Sequence, residues 1–247
     1  MSMRALFVGL ICLGLFCIAQ QPRAQFNGCS AGFCGGVASG GGGGSSITPD
    51  VLGTALYQRN SSSFNYSGLT TGTPSNLGLV CIILRAHASN DTLAGLAMTW
   101  NGVGLALRAS QGTTSNLQSA AIFGLHNPAS GAHTLAVFAT NSATDNFVNC
   151  ISFGGVNQTS DALAFPNPAN NINVSSLSII SASGHYSVGS FLSLASLGTI
   201  IPTILLTDSS SGLIINAGGD YVNSSSGATV VGTSTTQSAM VGVDISP

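Results

Sequence analysis

The chain is poor in the side chains that acid–base catalysis uses. All seven acids are aspartates (Asp50, Asp91, Asp145, Asp161, Asp208, Asp220 and Asp244), all five bases are arginines, and Glu and Lys are absent. Glycoside cleavage needs one carboxyl group to donate a proton and a second to attack or to activate water. No spacing among the aspartates marks such a pair, and solvated turns account for them. The serines include no G-x-S-x-G elbow of the kind that exposes a nucleophile between a strand and a helix. His126 and His133 flank the turn Asn127–Gly131 and could face one another across a hairpin. Two imidazoles without a third ligand leave a zinc site incomplete, so they read as polar caps of the turn. The DSSSG run from Asp208 to Gly212 lacks the regularly spaced oxygen ligands and closing bidentate acid of a calcium loop, and reads as a Ser-rich turn. The sequence thus predicts no catalytic residues, no metal and no cofactor.

Binding chemistry is better represented. Aromatic faces pack on pyranose rings, and Asn, Ser and Thr supply neutral donors and acceptors for sugar hydroxyls. Trp100, Tyr57, Tyr66, Tyr186 and Tyr221 could form a sugar-stacking platform, with Trp100, Tyr186 and Tyr221 the candidate ligand-binding residues, although Trp100 could equally belong to the core. The formal charge of −2 falls to −4 if Arg4 and Arg23 leave with a leader, which gives no basic footprint for nucleic acid. It also leaves no polybasic patch for anionic lipid.

Four cysteines bear on compartment. Cys29 and Cys34 lie five apart among glycines and could close a small loop. Cys81 and Cys150 sit inside apolar runs and could pair if their strands adjoin, or remain as buried free thiols. Ahead of them, Arg4 and the apolar run Ala5 to Ala19 followed by QQPRAQ read as a secretory signal peptide over residues 1–24. Residues 25–47 form a Cys-containing, Gly/Ser-rich linker that cannot bury apolar surface. Residues 48–247 form the folded domain, with no membrane span expected once the leader is removed.

The elements that must position these residues are strands. Strong exposed-helix formers are scarce, while Ser, Thr, Asn, Gly and Val abound. Residues 47–74 suggest one irregular first strand, and Leu77–Leu84 (LGLVCIIL) a buried one. Leu96–Trp100 and Val103–Leu107 flank Asn101-Gly102, the strongest short hairpin signal. A three-stranded meander follows: Ala120–Leu125, His133–Ala139 and Phe147–Phe153, the last two separated by a polar loop from Asn141 to Asn146. Leu135 and Val137 alternate there against Ala136 and Phe138. Further strands are expected at Ser176–Ser181, Ser187–Ser193, Thr199–Thr207, Leu213–Ala217, Ala228–Gly232 and Met240–Ile245. Strands at this spacing predict a single all-β domain, a two-sheet antiparallel β-sandwich. Its expected core includes Val80, Ile82, Leu84, Ile122, Leu135, Val137, Ile151, Phe153, Ile179 and Val241.

The segments WNG (Trp100–Gly102), LHNPASGAHTLAV (Leu125–Val137), ISFGGVNQT (Ile151–Thr159) and the ending AMVGVDISP together resemble an exported bacterial, sometimes phage-associated module. The resemblance implies a concanavalin A-like or jelly-roll sandwich and brings no catalytic residues with it. Leader, tether and neutral surface lead us to expect a non-catalytic extracellular module that recognises carbohydrate or another cell-surface group. A structural part of a surface or virion assembly, as a homo-oligomer, and a polysaccharide hydrolase or lyase on the same scaffold are the alternatives.

Overall fold

The computed structural model describes residues 46–114, 116–173, 176–193, 205–208, 217–223, 228–231 and 238–247. The elements in chain order are β1 (Thr48–Leu52), β2 (Leu56–Tyr66), β3 (Thr70–Thr71), β4 (Gly78–Ala86), β5 (Ala97–Trp100), β6 (Val103–Gly104), β7 (Ala106–Gly112), β8 (Gln118–His126), β9 (Gly131–Ala132) and β10 (Leu135–Gly154). After one helical turn, α1 (Asp161–Ala164), come β11 (Ala169–Ile172), β12 (Ser176–Ile179), β13 (Tyr186–Ser193), β14 (Leu205–Asp208), β15 (Ala217–Asn223), β16 (Ala228–Val231) and β17 (Ser238–Ile245). The fold is all-β. Its larger sheet runs β6-β5-β10-β4-β8-β7, with β1 and β2 also paired to β10, and a second sheet runs β11-β17-β13-β15-β14.

β4 explains the layering. Its GLVCIILRA sequence is buried from end to end, as expected of a strand covered on both faces, where apolar residues run continuously rather than alternating. Val80, Ile82 and Leu84 point to one side. There they meet Ile122, Ile151 and Phe153 of the same sheet and Val188, Leu192, Val241, Val243 and Ile245 of the second sheet. Leu79, Cys81 and Ile83 point to the other side and join Phe123, Cys150, Met98, Trp100, Leu135 and Val137. The second core exists because the larger sheet doubles back on itself. β10 pairs with β5 through Leu135–Phe138 and with β4 through Asp145–Phe153, while β2 runs along its other edge through both halves. The β2 register slips between Phe138 and Ala143. Across that slip the inward-pointing positions of β10 change from Leu135 and Val137 to Val148 and Cys150.

All ten expected core residues are buried. The expected loop at Asn141–Asn146 is instead the middle of one twenty-residue strand. Its buried polar side chains, Asp145 and Asn146, are hydrogen-bonded internally. The buried Arg85 donates from Nε to Asn146 Oδ1 (2.9 Å), from Nη1 to the Thr92 carbonyl (2.5 Å) and from Nη2 to the Asn141 carbonyl (2.8 Å). Asn146 Nδ2 in turn donates to the Gln58 and Ser61 carbonyls of β2. Burial lowers the Arg85 pKa to about 10. Polarity here marks a buried hydrogen-bonded plug rather than a solvated turn.

Residues 47–74 form three strands, β1, β2 and the two-residue β3, instead of one irregular strand. The expected Val103–Leu107 strand is split into β6 and β7. Most of the expected Thr199–Thr207 and Leu213–Ala217 strands, together with Cys29, Cys34 and all of the DSSSG run but Asp208, lies outside the described residues. The hairpin at Asn101-Gly102 is present, with φ of 49° and 80°, the two left-handed residues of a type I′ turn.

Cys81 and Cys150 stand directly opposite one another on β4 and β10 and are joined by a disulfide, with Cα atoms 4.1 Å apart. This resolves the choice between a bridge and free thiols. Both residues are completely buried in the second core.

Candidate ligand-binding faces

Trp100 sits in the second core, fully shielded from solvent. Its indole Nε1 donates to the Ala129 carbonyl at 3.0 Å, and its ring meets the edge of His133. Of the two readings left open for this residue, the structure gives the core one, and Trp100 presents no face to a ligand. Tyr186 begins β13 and is half-buried against the inter-sheet core, its ring centroid 6.1 Å from that of Phe153. Tyr221 lies in β15 at the register position opposite Gly189. The three do not form one platform through any described contact.

A different aromatic is exposed. The second core lies on the inner side of the bent sheet, so the outer side of the β6-β5-β10-β2 half carries the alternate residues. Register aligns Ser63, Phe138 and Ala97 in one row and Asn65, Ala136 and Thr99 in the next. Phe138 is 46% exposed at the centre of its row, and none of the six residues carries a charge. The period-2 alternation against Leu135 and Val137 already places Phe138 on the side away from the core. What sequence could not show is that the Phe138 ring stays 46% exposed on that side.

Further along the same side of β10, a second cluster forms. Tyr57 stands opposite Phe147 and Arg59 opposite Asp145. The Tyr57 and Phe147 rings are 5.3 Å apart and tilted by 44°. The Tyr57 hydroxyl donates to Asp145 Oδ1, and Arg59 Nε lies 3.9 Å from the same oxygen. Asp145 is fully buried, whereas the Arg59 side chain is 47% exposed. Burial first, then the bond to Asp145 and the charge of that carboxylate, push the Tyr57 pKa up to about 12.

His126 and His185 pair with carboxylates, and His133 with a backbone carbonyl. His126 Nδ1 is 2.7 Å from Asp161 Oδ1, which also accepts the His126 backbone N–H. His133 Nε2 is 3.0 Å from the Ser130 carbonyl. His185 Nδ1 is 2.7 Å from Asp244 Oδ2, and Ser181 Oγ donates to Asp244 Oδ1 at 2.6 Å. Ser181 therefore bonds the carboxylate and not the imidazole, an order in which the histidine does not activate the hydroxyl. Among the described residues no three His, Cys, Asp or Glu side chains group as metal ligands.

No protein family, no curated protein and no solved structure matches the chain.

Proposed function

We propose that the protein is an exported, non-catalytic recognition module of jelly-roll, concanavalin A-like type, and that it binds a neutral glycan on the outer face centred on Phe138. The observation that carries this reading is an exposed aromatic ring on an uncharged sheet face, flanked by Ser63, Asn65 and Thr99. An aromatic face offers a sugar ring an apolar surface, while short amides and hydroxyls offer its hydroxyl groups both donors and acceptors. The absence of charge on the face disfavours nucleic acid and anionic lipid as its occupants. The shielded disulfide supports an oxidising destination.

The test is a neutral-glycan array probed with the mature domain, followed by calorimetry on the hits. Phe138→Ala should weaken binding at least tenfold and leave the fold intact, because the ring is exposed; Phe138→Trp should retain binding. Absence of any glycan hit, together with a stable homo-oligomer in light scattering, would replace this reading with a structural role. Release of sugar product would replace it with an enzymatic one.

A further inference from the structure

We propose that the Tyr57, Arg59 and Phe147 cluster is a second binding site, specific for a carboxylate-bearing sugar such as a uronic acid. The Arg59 side chain is half exposed, and its only ion-pair contact is the 3.9 Å approach of Nε to Asp145, which leaves both Nη groups without a partner among the described residues. A guanidinium offers such a fork to a planar carboxylate in bidentate fashion. Of the other arginines among the described residues, Arg85 is buried on two carbonyls and an amide oxygen, and Arg108 is half-buried with its Nε on the Phe165 carbonyl, whereas Arg59 is exposed.

Beside this cation lies the half-buried Tyr57 and Phe147 pair, which supplies an aromatic surface for the sugar ring. Asp145 organises the site from beneath. Its buried carboxylate holds the Tyr57 hydroxyl and draws in the Nε edge of Arg59, so a half-buried ring and an exposed cation are positioned before a ligand arrives. The Tyr57 hydroxyl is committed as a donor to Asp145, so it is the ring and not the phenol oxygen that Tyr57 offers a ligand. Cation and aromatic face in this juxtaposition select against neutral sugars, which waste the charge, and against acidic peptides, which lack a pyranose face.

The experiment is a calorimetric and NMR titration of the mature domain with an oligouronate, the neutral oligosaccharide of equal length and an acidic peptide of equal charge. The oligouronate should bind, with affinity falling as salt is raised. Arg59→Gln should reduce it at least tenfold, and Arg59→Lys should restore only part of the loss. Tyr57→Phe, which releases the hydroxyl from Asp145 while keeping the ring, should weaken binding several-fold. Phe138→Ala should leave oligouronate binding unchanged, which separates this site from the neutral face. Equal binding of the neutral oligosaccharide or the peptide, or an Arg59→Gln variant with unchanged melting temperature and unchanged affinity, would overturn the assignment.

Discussion

Tyr57 shows how one side chain ties the edge of the fold to its chemistry. Its hydroxyl rests on a carboxylate with no access to water, and ionising it would place two negative charges side by side in a poorly solvated pocket. The folded state therefore keeps a proton that the unfolded chain releases near pH 10. Stability from this contact is complete below that pH and is lost as pH rises through about 12. A titration followed by phenolate absorbance should show one tyrosine ionising near pH 12, and Tyr57→Phe should remove it; an unchanged curve would refute the contact. None of this is legible in the sequence, where Tyr57, Arg59 and Asp145 lie in segments read as irregular or as loop. The same blindness affected Arg85 and Asn146, whose polarity looked like solvent exposure because their partners come from strands distant in the chain. Phe138 was legible as facing away from the core, but not as uncovered.

At the scale of the element, β10, like β4 and β8, contributes to both cores. Val137 lies in the core inside the bent sheet and Ile151 in the core between the sheets. Truncation of either to Ala should cost about 1 to 4 kcal/mol by removing buried methyl groups and leaving a cavity. Because the two residues fall in separate clusters, the losses should add in the double variant to within about 0.5 kcal/mol in denaturant unfolding, and a larger coupling would contradict the two-core arrangement. Sequence pattern identified the apolar halves of β10, the β4 run and the Asn-Gly hairpin, since each is written in local periodicity or turn chemistry. It could not join the halves of β10. Continuity there depends on β2 and β4 pairing through Asp145 and Asn146, a long-range fact.

For the molecule as a whole, the disulfide is the longest covalent constraint among the described residues, closing residues 69 apart. Such a loop restricts the unfolded chain by about 4 kcal/mol on a chain-entropy basis, so Cys81→Ser with Cys150→Ser should lower stability by roughly 2 to 5 kcal/mol. Alkylation of the protein unfolded in denaturant without reductant should leave both sulfurs unlabelled, and labelling there would refute the bridge. The all-β class was readable from composition, because the absence of Lys and Glu and the abundance of turn formers bias every segment alike. The doubling-back of the larger sheet was not, because it arises from a register slip between strands far apart in sequence. The bridge also carries an order of events. Cys81 belongs to β4, which pairs with β8, and both are synthesised before β10 brings Cys150 alongside. Until β10 docks, Cys81 lies on the β4-β8-β7 strands without the neighbour it bonds in the finished fold. Afterwards β5 and the first half of β10 close over it. Oxidation therefore has a window that opens when β10 docks and shuts when the fold over it is complete. A chain that misses this window must reopen its core before an oxidant can reach the sulfurs.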